Sequence, residues 1–167
     1  MTFLEYQKEA VTFRTETANN EEYLTLGLIE EVGEVAGKLA KRRRDGVWDE
    51  KAFIKELGDI LWFVANLAEF WDNGTNIFSG ELADCFELDL YGVGVGGGEC
   101  AKALAYWAGA VIYDERGYDD GLREIVYNLA CLADIIGYTI EQVAEINLAK
   151  LRDRAARGKI QGNGDER

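Results

Sequence analysis

The side chains in this sequence best suited to chemistry are acids in two pairs at i, i+3 spacing: Glu31 with Glu34, preceded by Glu30, and Glu56 with Asp59. On a helix, residues three apart share a face. With Glu31 set at 0°, Leu28, Val32, Val35 and Leu39 fall at about 40° to 100°, Glu34 at about 300° and Lys38 at about 340°. The same wheel drawn about Glu56 puts Phe53, Leu57, Ile60 and Val64 at about 40° to 100° and Asp59 at about 300°. Two successive helices therefore carry acids on the flank of an apolar stripe. Like-charge repulsion and desolvation disfavour that layout unless something neutralises it. Packed antiparallel, the helices bring four carboxylates to one place, an all-oxygen donor set that suits Mg²⁺ or Mn²⁺ rather than thiolate- or imidazole-seeking metals. For one Glu-x-x-Glu alone a solvated acidic face is the simpler reading. A second pair on the next helix weighs against it, because Asp59 sits inside the apolar run Leu57-Gly58-Asp59-Ile60-Leu61-Trp62-Phe63-Val64-Ala65.

The elements that must position these acids are helices, and the chain has no Pro to interrupt them. Thr2 and Glu5 make a capping box for a first helix reaching about Glu16, with Phe3, Tyr6, Ala10 and Phe13 on its apolar face. Asn19-Asn20 breaks and recaps the chain. A second helix is predicted from about Glu21 to Arg44, closed by Asp45-Gly46 after a cationic last turn. A third runs from about Glu50 to Trp71, and others from about Glu99 to Glu115 and Asp119 to Ile136. Thr139 with Gln142 caps the last, which runs to about Ala156. Within the irregular stretch 75–98, Gly92-x-Gly94-x-x-Gly97 is a literal dinucleotide fingerprint, but no βαβ pattern surrounds it, so it reads as a glycine linker. The expected fold is all-α: five to six helices around a four-helix-bundle core. The expected organisation is one domain over residues 1–156, with 75–136 as an inserted linker and second hairpin, and 157–167 as a polar tail.

Composition excludes several kinds of chemistry. In 167 residues there is no His, which removes Ser-His-Asp and Cys-His catalysis and imidazole-bound zinc, and the sole Ser is Ser79. Cys85, Cys100 and Cys131 are too far apart for a zinc knuckle or a redox Cys-x-x-Cys and read as core thiols in a reducing compartment. A net charge of −13 repels nucleic acid, yet carboxylates that gather divalent cations can still handle a phosphorylated small molecule. No apolar run approaches the roughly 18 residues needed to span a bilayer. The expectation is a cytoplasmic protein with neither membrane nor nucleic-acid partners.

The pattern Glu30-Glu31-Val32-Gly33-Glu34, a helix-turn, then Glu56-Leu57-Gly58-Asp59 resembles the MazG-like, all-α nucleoside triphosphate pyrophosphohydrolases. The flanks Leu26 to Lys38, Lys55 to Phe63 and Asn147 to Arg154, with Arg157-Gly158 and Gly162-x-Gly164-Asp165 beyond, are similar too. The resemblance implies Mg²⁺ ligation by Glu31, Glu34, Glu56 and Asp59. It further implies attack of an activated water on the α-phosphorus of a (deoxy)nucleoside triphosphate, releasing monophosphate and pyrophosphate in nucleotide-pool sanitation. Glu30 orients a water, contacts a neighbouring helix or faces solvent. The rival within the superfamily is a phosphoribosyl-ATP pyrophosphohydrolase, and from another class a non-catalytic helical partner-binding module.

The triphosphate needs cations. Asn147, Lys150 and Arg154 share one face of the last helix, away from Ile140, Val143, Ile146 and Leu151, and by spacing alone fit a solvated stripe as well. Resemblance to the family's Asn-x-x-Lys assigns them to phosphate, with Lys38 as a further candidate; Trp62 and Phe63 are candidates for stacking on a base. An offset of 99 − 31 = 68 lays Glu31 on Glu99, Glu34 on Lys102, Glu56 on Glu124 and Asp59 on Tyr127. That alignment suggests a duplicated hairpin which lost half its acids and supplies a wall within the chain, Lys102 or Tyr127 facing substrate. A homodimer is the expected assembly.

Overall fold

A computed structural model describes residues 1–71, 96–113 and 118–159, and among these every regular element is helical. Six α-helices follow in order: α1 Phe3–Ala10, α2 Glu21–Asp45, α3 Glu50–Trp71, α4 Gly97–Tyr113, α5 Tyr118–Ile135 and α6 Ile140–Ala156. Both capping boxes read from the sequence are present, Thr2 with Glu5 and Thr139 with Gln142. Asn20 caps α2 by accepting from the Tyr23 N–H, and Gly46, at φ +69°, closes it with a left-handed turn that L side chains rarely adopt. The glycine linker 92–95 and the tail from 160 lie outside the described residues.

The first helix is shorter than its apolar spacing predicts. It stops at Ala10, and two single 3₁₀ turns, Val11–Phe13 and Glu16–Ala18, carry the chain onward. Hydroxyls compete for the backbone here: Thr12 Oγ1 donates to the Glu9 carbonyl at 2.6 Å, and Thr15 caps the second turn by accepting from the Ala18 N–H. Smaller differences concern α4, which starts two residues early at Gly97 and ends at Tyr113, and α5, which starts at Tyr118.

Because only residues 46–49 join them, α2 and α3 run antiparallel; Trp71 Nε1 donates to Glu21 at one end, and Lys38 pairs with Glu56 toward the other. A second antiparallel hairpin, α4–α5, packs on the first, α4 against α2 and α5 against α3. Leu24, Leu28, Leu57, Ile60, Leu61, Leu104, Leu122 and Leu129, all fully buried, are part of the shared core. Helix α6 lies along α3 and beside α1, where Met1 pairs with Glu141, Tyr6 with Asn147 and Glu9 with Arg152.

Two glycines permit close approaches beside the acids. A Cβ on Gly27 would lie 2.2 Å from the ring of Phe63, and one on Gly58 would lie 2.9 Å from the Asn147 Cβ. Helix propensity favours Ala over Gly by about 1 kcal/mol, but overpacking against a neighbouring helix costs about 1–3 kcal/mol. Gly58→Ala should therefore lower Tm by several degrees. Gly33, with nothing within 4 Å of its would-be Cβ, should show the opposite sign when changed to Ala. Thermal melts of the two variants test this directly; equal shifts would refute the packing account.

Candidate metal centre

Antiparallel packing of α2 on α3 brings Glu31, Glu56 and Asp59 together, each offering a carboxylate oxygen within 4.8 Å of the others. Glu56 is buried, 2% exposed, and forms an ion pair with Lys38 Nζ at 2.8 Å. Asp59 is half-buried, and its Oδ1 takes both Lys150 Nζ and, at 3.2 Å, Asn147 Nδ2. Two of the three charges are thus balanced by lysines. Among the described residues no lysine pairs directly with Glu31, and its carboxyl is pushed up to about 8, first by burial and then by the charges of Asp59 and Glu56, with Lys150 pulling the other way.

Beside the acids opens a cavity of about 290 Å³. Phe13, Tyr23, Leu26, Trp62, Phe63 and Leu151 give it apolar and aromatic walls; Thr15, Glu30, Glu31, Asp59 and Arg154 give it polar ones. A larger cavity of about 600 Å³ lies where α2 and α5 end and α4 begins, walled by Leu39, Trp48, Phe53 and Leu132, and no member of the acid trio lines it. Chemistry, not size, therefore selects the smaller one.

The sequence-derived residues divide as follows. Glu31, Glu56, Asp59, Lys38, Asn147 and Lys150 come together, and Glu30, Trp62 and Arg154 line the adjoining cavity. Glu34 does not join the trio: it is exposed, rotated toward solvent on α2, though its charge still raises the carboxyl of Glu31. Asn147 departs from the expected outward stripe, being only 2% exposed, while Ile146, read as core, is 37% exposed. Trp62 is half-buried and donates from Nε1 to the Ala10 carbonyl at 3.1 Å, so it is framework as well as cavity wall.

The residues aligned with the acids in the second hairpin stay apart from the trio. Glu99 and Lys102 pair with each other on the surface, Glu124 is exposed, and Tyr127 is half-buried beside Cys131. Cys100 and Cys131 are buried free thiols. Burial pushes Cys100 up to about 11 and raises Cys131 as well, which makes both poor nucleophiles.

Spacing missed Tyr6, read only as core. It is fully buried, its hydroxyl donates to Asn147 Oδ1 at 2.8 Å, and burial together with the Asp59 charge holds its pKa well above the usual value. The available signal was a Tyr where Phe would pack equally well: a buried phenol needs a partner. Phe13, Thr15, Tyr23 and Leu26, as cavity walls, were also missed.

The donor set fits a hard divalent cation. Three oxygen ligands converge, and one of them is a carboxyl whose proton is retained because further negative charge is unfavourable there. No helix among the described residues is long and apolar enough to cross a membrane.

Residues 19–86 match the family model described as the MazG nucleotide pyrophosphohydrolase domain, so the resemblance read from the acidic motifs is shown over this stretch, less than half of the 167 residues. The chain is also similar to the Gene 37 protein of Mycobacterium phage L5, 44% identical over 55 residues, which are 30% of this chain and 48% of that protein. It thus spans about half the length of that relative. No solved structure matches the chain significantly.

The raised pKa of Glu31 has a signed consequence for stability. A carboxyl whose folded pKa exceeds its unfolded value contributes fully below the unfolded pKa, near 4.5, and loses that contribution as pH rises through about 8. In EDTA, Glu31→Gln should therefore gain Tm over the wild type as pH rises from 5 to 9, the two converging at the acidic end. A constant difference across that range would contradict the assignment.

Proposed function

We propose that this MazG-like chain is a divalent-cation-dependent nucleoside triphosphate pyrophosphohydrolase. The observation that carries the reading is the convergence of Glu31, Glu56 and Asp59 beside an aromatic-walled cavity, within the stretch that matches the MazG domain. Those three residues would hold Mg²⁺ or Mn²⁺, with exposed Glu34 available at the edge. When bound, such an ion lowers the pKa of a coordinated water and offsets charge building on phosphate oxygens.

The remaining roles belong to side chains of this chain. Arg154, on the cavity wall, and Lys150, one turn before it on α6, give positive charge where a polyphosphate would lie. Trp62, Phe63, Tyr23 and Phe13 offer ring faces and edges to a base. Glu30, on the polar wall, is placed to hold a water. No protein nucleophile is needed, which agrees with a chain that has no His and one Ser. The biological role we assign is nucleotide-pool sanitation in the cytoplasm, by a homodimer.

Pyrophosphate release should be measured with Mg²⁺ across canonical and modified NTPs and dNTPs, with phosphoribosyl-ATP in the same panel. Glu56→Ala and Asp59→Ala should lose more than the roughly 10–100-fold typical of an outer-shell change. Glu99→Ala and Glu124→Ala, exposed and remote from the trio, should stay within about twofold of wild type. Release that survives in Glu56→Ala, or none with any nucleotide, would sink the reading.

A further inference from the structure

Helix α1 contributes no acid to the trio, yet it is bound to the site's framework by a run of polar contacts. Gln7 Nε2 donates to the Ala65 carbonyl at 3.1 Å, and Trp62 Nε1 donates to the Ala10 carbonyl at 3.1 Å. Deepest among these contacts is Tyr6, whose hydroxyl meets Asn147 Oδ1 while Asn147 Nδ2 meets Asp59 Oδ1. An amide has chemically opposite ends, and which one faces a carboxylate decides between attraction and repulsion. Gly58 forms the floor beneath Asn147 and leaves its side chain no room to withdraw, since even a Cβ there would sit 2.9 Å from the Asn147 Cβ.

From this geometry we propose that Tyr6 is a positioning residue for the metal centre: by donating to Asn147 Oδ1 it fixes that amide with its N–H toward Asp59, and so fixes the Asp59 carboxylate. The proposal rests on the metal-binding reading above. Asp59 Oδ1 accepts from two donors, Asn147 and Lys150, on α6. Two donors on one oxygen hold the carboxylate plane against rotation, which preorganises it before any ion arrives. Removing the phenol oxygen leaves the ring in place but orphans a buried amide oxygen. The amide is then free to seek another partner, and Asp59 loses one of its two restraints.

Mn²⁺ binding, followed by electron paramagnetic resonance of the free ion without nucleotide, reads this separately from turnover. Tyr6→Phe should weaken Mn²⁺ by about tenfold, within the range for outer-shell partners. Val111→Ala, a buried change on α4 beside Trp71 and Tyr118, away from α1 and α6, should leave it unchanged even where it lowers Tm. A double-mutant cycle completes the test: if Tyr6 acts through Asn147, adding Tyr6→Phe to Asn147→Ala should weaken Mn²⁺ no further. Unchanged affinity in Tyr6→Phe, or additive losses in the pair, would overturn the positioning role while leaving the metal centre standing. A wild type that binds no Mn²⁺ would overturn both.

Discussion

The structure depends on a charge balance struck inside a helix bundle. Three carboxylates gathered between α2 and α3 meet two lysines, Lys38 on Glu56 and Lys150 on Asp59, and the uncompensated remainder falls on Glu31. Burying an ion pair contributes little net stability, but breaking one leaves an isolated charge in low dielectric, which is costly. The pairs therefore constrain register more than they add stability. Sliding α2 along α3 would separate Lys38 from Glu56, and sliding α6 would separate Lys150 from Asp59. The one carboxyl left out of balance, Glu31, is also the one of the trio that shares the cavity wall with Asp59, so the site's unmet demand for positive charge faces the space a ligand would enter.

The helical wheel treats Glu34 as the equal of Glu31, Glu56 and Asp59, whereas the bundle gathers those three and leaves Glu34 exposed. Glu34 and Asp59 both lie about 300° from the first acid of their pair, and spacing cannot tell them apart. Their fates differ because a third helix packs against α3 on that side: Asn147 and Lys150 of α6 reach Asp59, whereas Glu34 stays exposed. Which flank of a helix receives a partner is a tertiary fact, and a period of 3.6 residues does not carry it. The same limit explains Asn147. On the wheel it joined Lys150 and Arg154 in a polar stripe; in the bundle that stripe adjoins the seam between α6 and α3, where Asn147 is buried while Lys150 and Arg154 remain partly open.

Helix ends were legible where a single side chain decides them. Thr2, Asn20 and Thr139 each cap as read, and Gly46 terminates α2 where a left-handed residue is required. The end of α1 was not legible, because it results from competition between apolar spacing, which favours continuing, and the hydroxyls of Thr12 and Thr15, which capture backbone groups locally. The shorter helix frees Phe13 and Thr15 to turn toward the cavity they line. A helix continuing to Glu16 would have kept Phe13 in register with Phe3 and Tyr6.

Glycine separates the roles of residues that look alike in the motif. Gly33 and Gly37 have open space where a Cβ would stand, whereas Gly27 and Gly58 are filled from outside, by the Phe63 ring and by Asn147. Gly58 lies next to Asp59, so the residue that admits α6 to the surface of α3 adjoins the acid that α6 then restrains. A side chain at 58 would push Asn147 outward, lengthen its contact with Asp59 and unseat the Tyr6 hydroxyl behind it. The spacing Glu56-x-Gly58-Asp59 thus encodes more than two ligands on one helix face: between them it places the gap through which a third helix approaches, and without that approach Asp59 would be another exposed acid like Glu34.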